Sequence, residues 1–205
     1  MLFDFLTYNK FKFRNWNRLN LEGRAKVFQK LENIQARKLG RPPADIFFKE
    51  MEEKQKGAFN PTNNCIYLNI RFIQEDYLRF DGMFTLFHEG RHAFQHYAIN
   101  TKSSFGVFSK AKKWRENFKG YISGNMDEYA FYAMQPVERD ANKYALSRLN
   151  SFLYRFSEDR YFMATLNFEE RCFYDDKFRA KNELGLFYNK KITKRFQEES
   201  EKNGY

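Results

Sequence analysis

Residues 87–98 read FHEGRHAFQHYA and hold all three histidines of a 205-residue chain. Met83, Phe84, Phe87, Ala93 and Phe94 give the surrounding segment one apolar side, which predicts a helix over 82–99. Inside it, His88-Glu89-Gly90-Arg91-His92 is an HExxH sequence. Residues four apart on a helix stand one above the other, about 5–6 Å between Cβ atoms, so two imidazoles can converge on one ion. Zinc takes imidazole nitrogen at about 2.0–2.1 Å, which this spacing can deliver. Glu89, one step round the helix, is then placed as general base toward water that the ion activates. His96 is different. It lies about 12 Å up the axis from His88, too far for both to bind one ion on an unbroken helix, and reads as a supporting or surface residue.

With histidine exhausted, a third ligand must come from another element. The stretch QPVERDANKYA, residues 135–145, starts a helix at Pro136, because proline suits the first helical turn. Glu138 and Asn142 fall one turn apart on the same face. The carboxylate can ligate zinc, and the amide can orient a ligand imidazole through its free N–H. Asp140 points elsewhere by spacing and is the weaker ligand candidate. Three protein ligands leave one position open, as in catalytic rather than structural zinc sites. Arg91 is a charge inside the motif, expected to face solvent or an acidic partner.

Around these two segments the chain reads as helices with a little strand. Residues 21–39 carry Leu21, Ala25, Phe28, Leu31, Ile34 and Leu39 near one face, with Asn20 as N-cap and Gly40 followed by Arg-Pro-Pro as a stop. Gln35 sits where that stripe would prefer an apolar residue. Residues 57–73, GAFNPTNNCIYLNIRFI, predict a short antiparallel hairpin turning at Pro61 and Asn63-Asn64. Residues 100–127 lack long periodicity and read as a basic, loop-like insert with a short helix around Trp114. Residues 151–205 mix aromatics with balanced charge and predict a helical extension packed on a core formed by 1–150.

Twenty-five Phe and thirteen Tyr supply ample area for a real core. No run approaches the ~18 apolar residues of a membrane span. The apolar start MLFDFLTYNKFKF lacks a basic region and is interrupted by Asp4, so it does not read as a signal peptide. Cys65 and Cys172 form no CxxC pair and read as ordinary thiols of a reducing compartment, which points to the cytoplasm. The net charge of +10 is uneven: residues 1–50 hold 11 Lys/Arg against 5 Asp/Glu, and residues 101–150 hold 9 against 5. Such patches can attract nucleic acid or an acidic protein, and equally describe a solvated surface.

On HEGRH and ERDANKYA the chain resembles the gluzincin class of metallopeptidases. Within that class it is similar to the ImmA/IrrE-type family of phage- and mobile-element-associated zinc peptidases, whose pattern is HExxH on one helix and E-x-E/D-A-N-x-x-A on the next. Glu138, Asp140, Ala141, Asn142 and Ala145 match the second half. The chain departs from the family in its longer basic insert and in HEGRHAFQ, where the family usually has an apolar HELGH. The resemblance implies a compact, zincin-like α+β core with a small antiparallel sheet packed on the active-site helices. It also implies a zinc-dependent endopeptidase acting on a protein substrate, often a regulatory, DNA-bound one. Extended substrates of this class pair with an edge strand, which makes residues 66–70 the expected substrate wall. Tyr97, Tyr129 and Tyr132 are the candidates for stabilising an oxyanion.

Two other functions compete. One is a basic module binding nucleic acid or protein with a non-catalytic metal site, in which Trp114 beside Lys110, Lys112, Lys113 and Arg115 combines stacking with phosphate contact. The other is a zinc hydrolase acting on a non-peptide bond with the same ligands.

Overall fold

The apolar N-terminal segment turns into two short helices, α1 (Leu2–Asn9) and α2 (Phe13–Trp16), in a computed structural model that describes residues 2–52, 55–101, 108–122 and 129–155. Phe11 and Trp16 are fully buried there and meet Phe28, with ring centroids 5.3 Å apart for Phe11–Phe28 and 5.9 Å for Trp16–Phe28. Each such ring contributes about 1.5–3 kcal/mol by leaving water. The start of the chain is thus part of the core.

The expected helix over 21–39 is α3 (Leu21–Leu39). Asn20 caps it by accepting from the Gly23 N–H at 2.8 Å, and Gly40 ends it with a positive φ of 67°. Gln35, the polar interruption in its stripe, is buried. Its amide nitrogen donates to Tyr8 Oη and its oxygen accepts from Tyr144 Oη, both at 2.7 Å, which ties α3 to two other helices.

The sheet has three strands, β1 (Asp45–Lys49), β2 (Gly57–Asn60) and β3 (Cys65–Asn69), in the order β1-β3-β2. The hairpin of β2 and β3 is antiparallel as expected, and Asn64 takes a left-handed φ of 52° in its turn. Two corrections follow. The sheet is mixed rather than antiparallel, because β1, which sequence reading passed over, pairs parallel with β3. Moreover β3 is the central strand, so residues 66–69 offer no free edge to a substrate. The edge nearest the site belongs to β2.

After β3 come a single turn, α4 (Arg71–Gln74), and the long helix α5 (Arg79–Asn100) that carries the HExxH sequence. The basic insert contains a real helix, α6 (Phe108–Lys119), followed by α7 (Tyr129–Met134) and α8 (Pro136–Arg155). Helix α5 lies in the middle of the molecule, packed on α8 and α3 and touching β2, β3 and α6. The protein is α+β, mostly helical. Helix α8 runs unbroken past residue 150, and residues 156–205, with nearly all of the expected C-terminal extension, lie outside the described residues. Among the described residues, no helix is long and apolar enough to cross a membrane.

Candidate metal centre

Helices α5 and α8 bring His88, His92 and Glu138 together, all buried. The Nε2 atoms of the two histidines are 3.0 Å apart. Each also lies 3.2 Å from a carboxylate oxygen of Glu138, His88 from Oε2 and His92 from Oε1. Glu138 Oε2 is buried without a hydrogen-bond partner.

The far side of each imidazole explains why those nitrogens are bare. His88 Nδ1 lies 2.9 Å from Asn142 Oδ1, and His92 Nδ1 lies 2.9 Å from Gln95 Oε1. The Gln95 amide cannot turn round, because its nitrogen donates to Val137 O at 2.9 Å and to Asp140 Oδ2 at 3.1 Å. With an amide oxygen facing each Nδ1, the Nδ1 atoms carry the hydrogens and the Nε2 lone pairs point inward. Two lone pairs and a carboxylate at mutual distances of 3.0–3.2 Å repel one another unless a positive charge sits among them. A tetrahedral ion with bonds of about 2.05 Å would hold its ligand atoms about 3.3 Å apart, close to what is observed. The donor set therefore fits a divalent cation, and two imidazoles with one carboxylate suit several first-row ions.

Protonation tells the same story. Burial opposes a charge on His92, but the hydrogen bond and charge of Glu138, aided by Glu89 and Gln95, outweigh it and hold the imidazole up at about 9. Burial alone would raise the Glu138 carboxyl, whereas contact with His88 and His92 holds it far below the usual carboxylate range. The three side chains demand one cation, proton or metal.

Glu89 is buried and faces a cleft of about 470 Å³ bounded by Gly57, Ala58 and Phe59 of β2. Helix α6 and the segments after it bring Phe118, Tyr121 and Tyr132 to the cleft's lining. Tyr121 Oη donates to Glu138 Oε1 at 2.7 Å. Burial, then the Glu138 charge, pushes the phenols of Tyr121 and Tyr132 well above the usual tyrosine range, so both stay protonated as donors. Of the three tyrosines singled out from sequence, Tyr132 lines the cleft and Tyr97 does not, while the Tyr129 side chain lies outside the described residues.

His96 is not a member of the metal group. Its ring packs between Phe118, with centroids 4.4 Å apart, and Phe59, at 5.7 Å. Asp140 is not a ligand either. It accepts from Arg91 Nε at 2.6 Å and Nη2 at 3.2 Å. Arg91, far from facing solvent, is roofed by aromatic rings, its guanidinium 4.6 Å from the Phe94 centroid, 5.1 Å from Tyr144 and 5.5 Å from Trp114. The charge that looked out of place inside the motif is a clamp between α5 and α8. It also holds Asp140 where Gln95 can reach it. Trp114 itself is only 2% exposed, so it cannot stack on a base, although Lys112, Lys113 and Arg115 beside it are exposed.

Gly90 answers a different constraint. A Cβ there would stand 3.0 Å from Arg41 Nη2 and 3.3 Å from Glu32 Oε2. Those two residues form a fully buried ion pair at 2.6 Å, with the Ala44 N–H also donating to Glu32. The pair lies against the α5 backbone between the two histidines, and any larger residue would need it to give by a few tenths of an ångström.

Sequence reading missed Gln95, Tyr121 and the Glu32–Arg41 pair. Gln95 stands three residues after His92 on the same helix, a usable signal; the others become neighbours of the site only in the folded chain. No protein-family model, no curated protein and no solved structure matches the chain.

Proposed function

We propose that this protein is a zinc-dependent endopeptidase with a zincin-like catalytic core, similar to the ImmA/IrrE-type gluzincins. One observation carries the reading: two imidazole lone pairs and a buried carboxylate converge at the foot of a cleft into which Glu89 faces. His88, His92 and Glu138 would hold the metal. Zinc in that position supplies Lewis acidity, polarising a carbonyl and making water acidic enough to be deprotonated near neutral pH. Glu89 accepts the proton of the attacking water and delivers it to the leaving amine. Asn142 and Gln95 keep both imidazoles in the ligating tautomer. Tyr121 and Tyr132, protonated and bordering the cleft, are the candidate hydroxyl donors to an oxyanion, a role for which Tyr121 would have to release Glu138.

An extended substrate finds its backbone partner in β2. That strand pairs with β3 on one side and with no strand among the described residues on the other, and its residues 57–59 border the cleft. The occupant is a protein chain, of the regulatory and DNA-bound kind that the resemblance implies. A basic binding module with an inert metal site is less well supported, because burial of Trp114 removes its stacking platform and leaves phosphate contacts alone.

The test is metal content together with turnover. The chain purified without chelator should carry about one zinc, and Glu89→Gln should keep it while peptide hydrolysis falls by about 10²–10⁴. A chain that neither retains nor takes up zinc defeats the proposal, as does a Glu89→Gln variant with undiminished hydrolysis.

A further inference from the structure

The cleft is too large and too particular in its lining to serve the reacting bond alone. Its volume of about 470 Å³ falls within the range of sites that hold organic ligands. Five aromatic rings form a continuous wall beyond Glu89. Phe59 meets His96 at 5.7 Å between centroids and His96 meets Phe118 at 4.4 Å. The wall continues from Phe118 to Tyr121 at 6.3 Å and from Tyr121 to Tyr132 at 6.2 Å. Among the described residues that line the cleft, Glu89 is the only carboxylate, and no lysine or arginine takes part. Burial pushes the His96 imidazole down, which keeps that ring neutral.

The wall is assembled from separate elements, with Tyr121 following α6 and Tyr132 on α7. Phe59 comes from β2, His96 from the last turns of α5, and Phe118 from α6 in the basic insert. Helix α6 is fixed in place from behind: Trp114 packs on Phe94, and Asn117 Oδ1 accepts from the Val137 N–H at 3.1 Å, at the start of α8. Helix α6 therefore has a defined position over the cleft, with Lys112, Lys113 and Arg115 outward and Phe118 inward.

We propose that this aromatic wall is a specificity pocket that accepts one large uncharged side chain of the substrate, aromatic or long aliphatic, next to the bond presented to Glu89, and that α6 exists to close it. The inference rests on the peptidase reading for the identity of the occupant. The chemistry of the selection does not. Among the described lining residues a charged side chain would surrender its hydration for no ion partner beyond Glu89, whereas an apolar one gains contact on several sides.

The experiment uses capped heptapeptides, Ala-Ala-Ala-X-Ala-Ala-Ala, with X as Phe, Leu, Ala, Asp or Lys. Calorimetry measures their binding to the full wild-type chain stripped of metal by chelator, so that no turnover intervenes and Glu89 is intact. Phe and Leu should bind at least about tenfold tighter than Asp and Lys. Phe118→Ala should shrink that ratio to about threefold or less with zinc-binding capacity retained, and Phe118→Leu should restore it. Equal binding across the series, preference for Asp or Lys, or no binding below about 1 mM for any peptide overturns the pocket. If the preference holds yet the zinc-loaded chain leaves the Phe and Leu peptides uncut, the pocket stands and the peptidase reading falls.

Discussion

Replacing Glu138 by Gln keeps the size of the side chain and removes only its charge, which isolates the electrostatic basis of the metal group. In the metal-free wild type, Glu138 draws a proton onto His92 and holds it up at about 9, against an ordinary 6.5. The difference corresponds to about 3 kcal/mol of stability tied to that proton. The sign follows from which state binds the proton better. Below about pH 6.5 both folded and unfolded chains carry it, and the contribution is complete. Between about 6.5 and 9 the unfolded chain has lost it while the folded chain has not, so stability declines as pH rises. In Glu138→Gln, only Glu89 and Gln95 still oppose the burial of His92, and the folded pKa falls. The stability tied to that proton shrinks, and with it the decline between about pH 6.5 and 9. Urea unfolding of both proteins, stripped of metal, at intervals from pH 5.5 to 9.5 reads this directly, and their difference cancels groups common to both. The zinc affinity of Glu138→Gln should also fall by more than the 10–100-fold that removing a mere supporting partner costs. Parallel pH profiles for the two proteins, or wild-type zinc affinity in the variant, would show that Glu138 does not bear on the histidine pair.

Other consequences are smaller but equally checkable. Gln95→Leu removes the acceptor at His92 Nδ1 and the donor to Val137 O, so zinc affinity should drop 10–100-fold in chelator competition. An unchanged affinity would mean that the imidazole is oriented by packing alone. Gly90→Ala should cost about 1–3 kcal/mol, seen as a lower midpoint in thermal or urea unfolding, because its Cβ would press on the buried Glu32–Arg41 pair. Equal stability of this variant and wild type would place the ion pair further from the helix than its 3.0 Å approach indicates.

Legibility divided along the range of the interactions involved. The 3.6-residue period, an N-cap at Asn20 and a left-handed glycine at Gly40 are local facts, and they sufficed for α3, for the existence of α5 and α8, and for the turn between β2 and β3. The spacing of His88 and His92 is local in the same sense, since one helical turn imposes it on any chain. Strand β1 was illegible because its pairing with β3 spans some twenty residues and its pattern is short, with Phe47 left half exposed at the sheet edge. That pairing reversed the reading of the sheet and moved the free edge from 66–70 to β2.

By itself, then, the sequence determined α3, α5 and α8, the hairpin and the pair of imidazoles, all properties of neighbours along the chain. Tertiary structure alone decided that Arg91 turns inward onto Asp140, that Gln95 reaches His92 and Val137 together, that Trp114 is core and that Phe118 faces the cleft. Each of these depends on how α5, α6 and α8 cross, and a crossing is set by the packing of whole faces, which no short spacing encodes.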